Sequence, residues 1–183
     1  MPSPMRSEEE RDLEAEACDA AHWLAVESAT ETLLDGRLEE GLRMLRDIIA
    51  GDRSNPYAFH FLGAALFDLK KFDAARDAYA AALRLSPSYR ASRVGLAHCL
   101  RLLGDLQGAL DEAKRVLSAN NEDGDALYVM GLILAADGQR DEARLLFERF
   151  LTTHPELEAQ MEVRGILDAL DQTEDGAPLQ WNS

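Results

Sequence analysis

Apolar residues return along this chain at helical intervals, and the pattern they make repeats every 34 residues. Residues 56–87, PYAFHFLGAALFDLKKFDAARDAYAAALRLSP, superpose on their downstream neighbours at that offset, small side chains on small and apolar on apolar. Four units result: 22–55, 56–89, 90–123 and 124–157. Their eighth positions are Ala29, Gly63, Ala97 and Gly131, and their twentieth positions are Gly41, Ala75, Ala109 and Ala143, all small. Their twenty-eighth positions are Ile49, Leu83, Leu117 and Leu151, all large and apolar. Small residues let two antiparallel helices approach closely, and large ones fill the space between successive pairs. At the fifteenth positions, Gly36, Lys70, Gly104 and Gly138, a glycine would end one helix in a left-handed cap and open a tight turn, and three of the four fit. Each unit is therefore predicted to be a helix, a turn and a second helix.

The flanks read differently. Ser7 followed by Glu10 is a capping-box pattern, and no Gly or Pro interrupts residues 7–35, which predicts one long helix running into the first unit. Residues 1–21 hold seven acids and two bases and form an acidic extension, helical from about residue 7. After the units, Leu157, Met161, Val163, Ile166, Leu167 and Leu170 predict an amphipathic helix over 158–171 that covers the open end of the stack. Residues 172–183 lack periodicity and are expected to form a flexible tail.

The unit length and its small and large positions resemble the tetratricopeptide repeat (TPR), a 34-residue helix-turn-helix. The second unit carries Leu62, Gly63, Leu66, Ala75, Tyr79, Ala82 and Pro87, and the fourth carries Met130, Gly131, Leu134, Ala143, Phe147 and Pro155. The third keeps Leu96, Leu100 and Ala109 but has Ala113 and Asn121 where the family favours an aromatic and a proline. The first has Ser28 and Thr32 at core positions. The resemblance implies an all-α, right-handed solenoid of about four repeats, with an N-terminal helical extension and a C-terminal capping helix. It also implies that the second, fifth, ninth and twelfth positions of each first helix line a concave groove, while the fourth, eighth and eleventh pack inward. The candidate groove residues are then Trp23, Val26, Tyr57, His60, Phe67, Val94, His98, Arg101, Asp125, Tyr128 and Leu132, beside Thr30, Leu33, Ala64, Ala91 and Ala135. Eleven of these sixteen are apolar or aromatic, and only Arg101 and Asp125 carry formal charge, in a chain that is 29% charged.

The charge balance narrows the partners. Nineteen Lys and Arg against 34 Asp and Glu leave a net charge of -15, which opposes binding to phosphate backbones and anionic lipid. The apolar runs are far shorter than the roughly 20 residues of a membrane-spanning helix, and the N-terminus turns acidic where a signal peptide is apolar. No nucleic-acid partner, no membrane insertion and a cytoplasmic location are the expectations. Cys18 and Cys99 have no CxxC partner and fall on predicted helices, where buried, inert thiols are expected. His60 and His98 stand one repeat and one helical turn apart, a conceivable metal pair, but no third ligand accompanies them. No catalytic, metal or cofactor site is expected, and no nucleophile, phosphate-loop or dinucleotide motif appears.

The expected function is a non-enzymatic interaction module or chaperone that binds an apolar peptide or helix of a partner protein in the groove. The chain is also similar to the class II chaperones of bacterial type III secretion, acidic proteins with a helical extension that hold hydrophobic translocators; these have three repeats. The fifth positions, Val26, His60, Val94 and Tyr128, and the ninth, Thr30, Ala64, His98 and Leu132, differ from the Lys, Asn and Arg of TPR clamps for C-terminal carboxylates. The same apolar pattern fits a face covered by the N-terminal extension, or by another copy of the chain in a homo-oligomeric scaffold.

Overall fold

The computed structural model describes residues 7–172, without the side chains of residues 8–11. The described residues form nine helices: α1 (Glu8–Leu34), α2 (Leu38–Gly51), α3 (Pro56–Asp68), α4 (Phe72–Leu85), α5 (Arg90–Leu102), α6 (Leu106–Ala119), α7 (Gly124–Ala136), α8 (Arg140–Thr152) and α9 (Leu157–Gln172). The extension and the first helix of the first unit are one continuous α1. The side chain of Glu10 and the tail from residue 173 lie outside the described residues.

The turns inside the four units share one local solution. Gly36, Gly104 and Gly138 have φ of 78°, 85° and 80°, and Lys70 takes the same left-handed conformation at 56°. In the first of these turns the Gly36 N–H donates to Leu33 O and the Arg37 N–H to Thr32 O, and the Lys70–Lys71 pair repeats the arrangement on Phe67 O and Leu66 O. These crossed bonds satisfy carbonyls that a helix end would otherwise leave unpaired. Lys70 shows that the hydrogen bonds impose the turn even where a Cβ disfavours it by ~1 kcal/mol. At the opposite ends, Asn55 and Asp123 cap α3 and α7 by accepting from the N–H of Ala58 and Ala126 at 3.1 and 3.0 Å.

Packing follows the small positions. Ala75, Ala109 and Ala143 are fully buried where the paired helices touch. A Cβ on Gly131 would lie 2.7 Å from the Phe147 ring, and one on Gly63 or Gly95 would collide with Tyr79, so Tyr79 of α4 wedges between α3 and α5. Each first helix contacts both its own partner and the first helix of the next unit: α1 meets α3, α3 meets α5 and α5 meets α7. The second helices α2, α4, α6 and α8 do not contact one another. Helices that abut on one side and splay on the other curve the stack, with the first helices on its inner side. The architecture is an all-α solenoid of stacked helix-turn-helix repeats.

Two expectations need correction. Cys18 is exposed, because α1 runs past the stack at that point and residues 12–21 all face solvent; Cys99 is buried as expected. On α9, Val163, Ile166 and Leu170 are buried against the preceding unit, but Leu157 and Met161 are 69% and 65% exposed. At 100° per residue those two point away from the packed stripe.

Candidate binding groove

The inner side of the stack presents a run of aromatic and imidazole rings built from successive first helices. Trp23 of α1 meets Tyr57 of α3 edge-on at 5.3 Å, and Tyr57 meets Tyr89, at the start of α5, at 5.5 Å. His60 stacks against Tyr89 at 4.8 Å and Phe61 at 5.1 Å. A second run starts lower on α3: Phe67 meets His98 of α5 at 5.9 Å, and His98 meets Tyr128 of α7 at 6.1 Å. Phe67, His98 and Tyr128 are the twelfth, ninth and fifth residues of their units. The stripe therefore steps back about one helical turn per repeat, as neighbouring helices that cross at an angle require.

Hydrogen bonds fix several of these rings. Tyr57 Oη donates to Asp19 Oδ1 at 2.8 Å, and Tyr128 Oη to Glu162 Oε1 at 2.7 Å. His60 Nδ1 lies 3.0 Å from Ser92 Oγ, a buried hydroxyl. Burial holds both imidazoles well below their usual range, to about 4 for His60 and about 4 for His98, where the Arg101 charge adds to the effect. At neutral pH both rings are uncharged and act as part of the apolar surface. Burial likewise raises Tyr128, with the bond to Glu162 second, and pushes the Cys99 thiol up to about 12. No group of three or more His, Cys, Asp or Glu among the described residues is placed to hold a metal.

The eleven sequence-selected residues divide into three sets. Trp23 is half exposed, and Tyr57, His60, Phe67, His98, Arg101 and Tyr128 are partly exposed members of the ring run or its border. Val26, Val94 and Leu132, at 0%, 8% and 6% exposure, belong to the core and offer no surface to a partner. Val26 packs with Ala29, Leu45 and Ala58, and Val94 with Ala97, Ala126 and Val129. The next first helix closes over Val26 with Ala58 and over Val94 with Ala126, and Leu132 joins the cluster that includes Phe147 and Val163. Asp125 stands apart, exposed and paired with Arg90 at 3.0 Å, which also holds the buried Asp123 at 2.8 Å. The positions expected to pack inward also vary, since Ala25 is exposed while Leu127 is buried.

Sequence reasoning missed Tyr89, Phe61 and Glu162. Tyr89 is the last residue of its unit and so adjoins the second position of the next. Glu162 lies 34 residues after Tyr128, and extending the repeat register into α9 points to it. A hollow of about 220 Å³ between α1 and α3, lined by Thr30, Leu33, Leu34, Phe61, Ala64 and Asp68, continues the apolar surface. A hollow of about 530 Å³ against α7 and α8, beside the exposed Leu145, lies away from the rings.

Paired helices with left-handed turns, stacked around an inner face of rings, define an α-helical repeat protein with an open groove. The sequence matches the tetratricopeptide repeat over residues 35–90 and 62–123, and again over 125–156. The chain belongs to the tetratricopeptide-repeat family. Among solved structures it is similar to MamA residues 41-end from Desulfovibrio magneticus RS-1, with a TM-score of 0.65 and 22% identity over 82% of this chain and 89% of that one. It is also similar to YrrB, described as a TPR protein with an unusual peptide-binding site, with a TM-score of 0.62 and 22% identity over 81% and 76%. The first TPR of Spaghetti (RPAP3), bound to the HSP90 peptide SRMEEVD, gives 0.55 and 24% over 64% and 94%. No curated protein matches the sequence. No helix among the described residues is long and apolar enough to cross a membrane.

Proposed function

We propose that this protein is a non-enzymatic interaction module, or a chaperone, that binds an apolar peptide or helix of a partner protein along the inner face of its first helices. The observation that supports it best is the ring run from Trp23 through Tyr57, Tyr89 and His60, with Phe67, His98 and Tyr128 below it. These side chains are partly exposed, uncharged at neutral pH and already fixed by their neighbours. Rigid aromatic side chains bind with little loss of conformational freedom, and burying about 800 Å² per partner suffices for a specific complex. Peptide binding by YrrB and by the Spaghetti TPR, as their descriptions state it, accords with this use of the fold. The resemblance to class II secretion chaperones narrows the partner to a hydrophobic protein held in the cytoplasm before export.

The test is calorimetric titration of apolar peptides chosen from a synthetic array against the parent, Trp23→Ala and Phe67→Ala, with thermal melts of all three. Each variant is expected to lose ~2 kcal/mol of binding, about thirtyfold in affinity, with a smaller change in melting. Variants that melt normally and bind as tightly as the parent remove the inner face from the proposal. Light scattering across a concentration series checks the alternative scaffold: mass that grows with concentration, reversed by the same two variants, assigns the face to self-association.

A further inference from the structure

Arg101 stands out electrostatically on the inner face. It occupies the last turn of α5, between the two lower rings of the stripe, His98 three residues before it and Tyr128 on the next first helix. In a chain with 34 acidic and 19 basic residues, six of the sixteen arginines, Arg37, Arg76, Arg90, Arg93, Arg115 and Arg144, pair with a carboxylate. Arg101 pairs with none among the described residues, and its Nε is buried with no hydrogen-bond partner. Burial lowers its pKa, and no Asp or Glu acts against this effect; the one opposing influence is the Tyr128 hydroxyl, which ionises only at high pH. Glu162, the acid that reaches Tyr128, is committed to its Oη.

A position at the end of α5 suits a cation, because the helix dipole favours positive charge there. That explains the charge but leaves the donors unused, and a half-buried guanidinium without an acceptor is an unfavourable arrangement that an incoming acceptor relieves. The acceptor that matches a guanidinium best is a carboxylate.

Resting on the groove function proposed above, we infer that Arg101 is a specificity-determining residue that receives the side-chain carboxylate of one Asp or Glu embedded in the apolar segment of the partner. Two features select an internal side chain over a chain terminus or an acidic run. Ring surface continues on both sides of Arg101, to Phe67 on α3 and to Tyr128 on α7, so a ligand that uses the stripe runs past this point. The net charge of -15 repels strongly acidic segments, and only a lone acid among apolar neighbours meets Arg101 without a large long-range penalty. The position differs from the fifth and ninth positions set aside above as lacking the Lys, Asn and Arg of a carboxylate clamp.

The experiment uses a synthetic array of short Leu-, Phe- and Ala-rich peptides, acetylated and amidated, with Glu, Gln or Lys at the centre. A matching set carries Gln at the centre and a free C-terminal carboxylate. The best frames are titrated in solution against the full chain and against Arg101→Gln, Arg101→Met, which keeps the packing of the stem, and Arg101→Glu. The expected result is that Glu frames bind about tenfold tighter than their Gln twins. That preference disappears in Arg101→Gln and Arg101→Met and turns to Lys in Arg101→Glu. Frames that lose binding in Trp23→Ala yet bind equally with Glu or Gln keep the groove function and overturn this inference. A Glu preference that survives Arg101→Met also overturns it, as does stronger binding by the free-carboxylate set. If no frame binds, the groove function falls and this assignment falls with it.

Discussion

The two ends of the stack are held by different forces. At the carboxy-terminal end, Phe147, Phe150, Leu127, Val163, Ile166 and Leu170 form one apolar cluster across α7, α8 and α9. At the amino-terminal end the cluster is small, with Val26, Ala29, Leu45 and Ala58 at its centre, and polar ties take over. Asn55, 1% exposed, donates from Nδ2 to His22 O at 2.9 Å while its Oδ1 caps α3. His22 Nε2 lies 2.9 Å from Asp52 Oδ2, and Tyr57 reaches Asp19. Apolar burial scales with area, so the first end tolerates the loss of a hydrogen bond. The second depends on directional contacts that a single substitution removes.

The largest expected effect is at the apolar end. Phe147→Ala empties a fully buried site and should cost ~3–5 kcal/mol in chemical denaturation. Amide exchange should accelerate through α7–α9 more than through α1–α2. Uniform acceleration would show that the ends unfold as one unit and that the contrast is only local.

Next comes a pair of glycines one repeat apart. Gly131→Ala places a Cβ 2.7 Å from the Phe147 ring and should destabilise by ~1–3 kcal/mol. A methyl on Gly165, 34 residues on, would meet nothing within 4 Å, so Gly165→Ala should instead stabilise α9 by ~0.5–1 kcal/mol. Thermal melts of the two variants that shift in the same direction would break the assignment of α9 as a helix whose outward face lacks a packing partner.

At the polar end, Asn55→Ala should cost ~1–2 kcal/mol, through the lost cap and the abandoned tie to α1. Proteolysis should then cut within α1 before the rest of the chain. A melting curve unchanged from the parent would mean that the Val26 cluster alone secures this end.

A last test sharpens the contrast by pH and belongs to the middle of the stack. His60 and His98 are held neutral in the fold at about 4, below the 6.5 of an unfolded histidine. Between those values the unfolded chain binds more protons, so stability is complete above pH 6.5 and is lost progressively as the pH falls toward 4. The melting temperature should therefore drop across that window, with exchange rising first in α3 and α5. A flat profile from pH 6.5 to 4 would show that these rings are open to solvent.

Much of the fold was legible because it is local. The turn at Lys70 follows from its place in the register, although a lysine gives no sign of the left-handed conformation that the glycines announce, and the small residues at Ala75, Ala109 and Ala143 mark helix contacts without knowledge of what they touch. The groove was legible only in outline. Trp23, Tyr57, His60, Phe67, His98 and Tyr128 stand together along the inner face, but Val26, Val94 and Leu132, chosen by the same rule, are core. Cys18 faces solvent although its sequence neighbourhood resembles that of a packed helix.

The amino-acid sequence by itself determined the repeat length, the pairing of helices, the turns and the direction in which each side chain leaves its helix, because backbone hydrogen bonding and helical periodicity act within a few residues. Tertiary structure alone decided which of those directions end in solvent. That outcome depends on the gap between neighbouring first helices, and the gap is set by side chains a whole repeat away: Ala58 closing over Val26, Ala126 over Val94, and Tyr79 holding α3 and α5 apart. For the same reason the unpaired state of Arg101 could not be read from its position, since it depends on Glu162 of α9 taking Tyr128 as its partner.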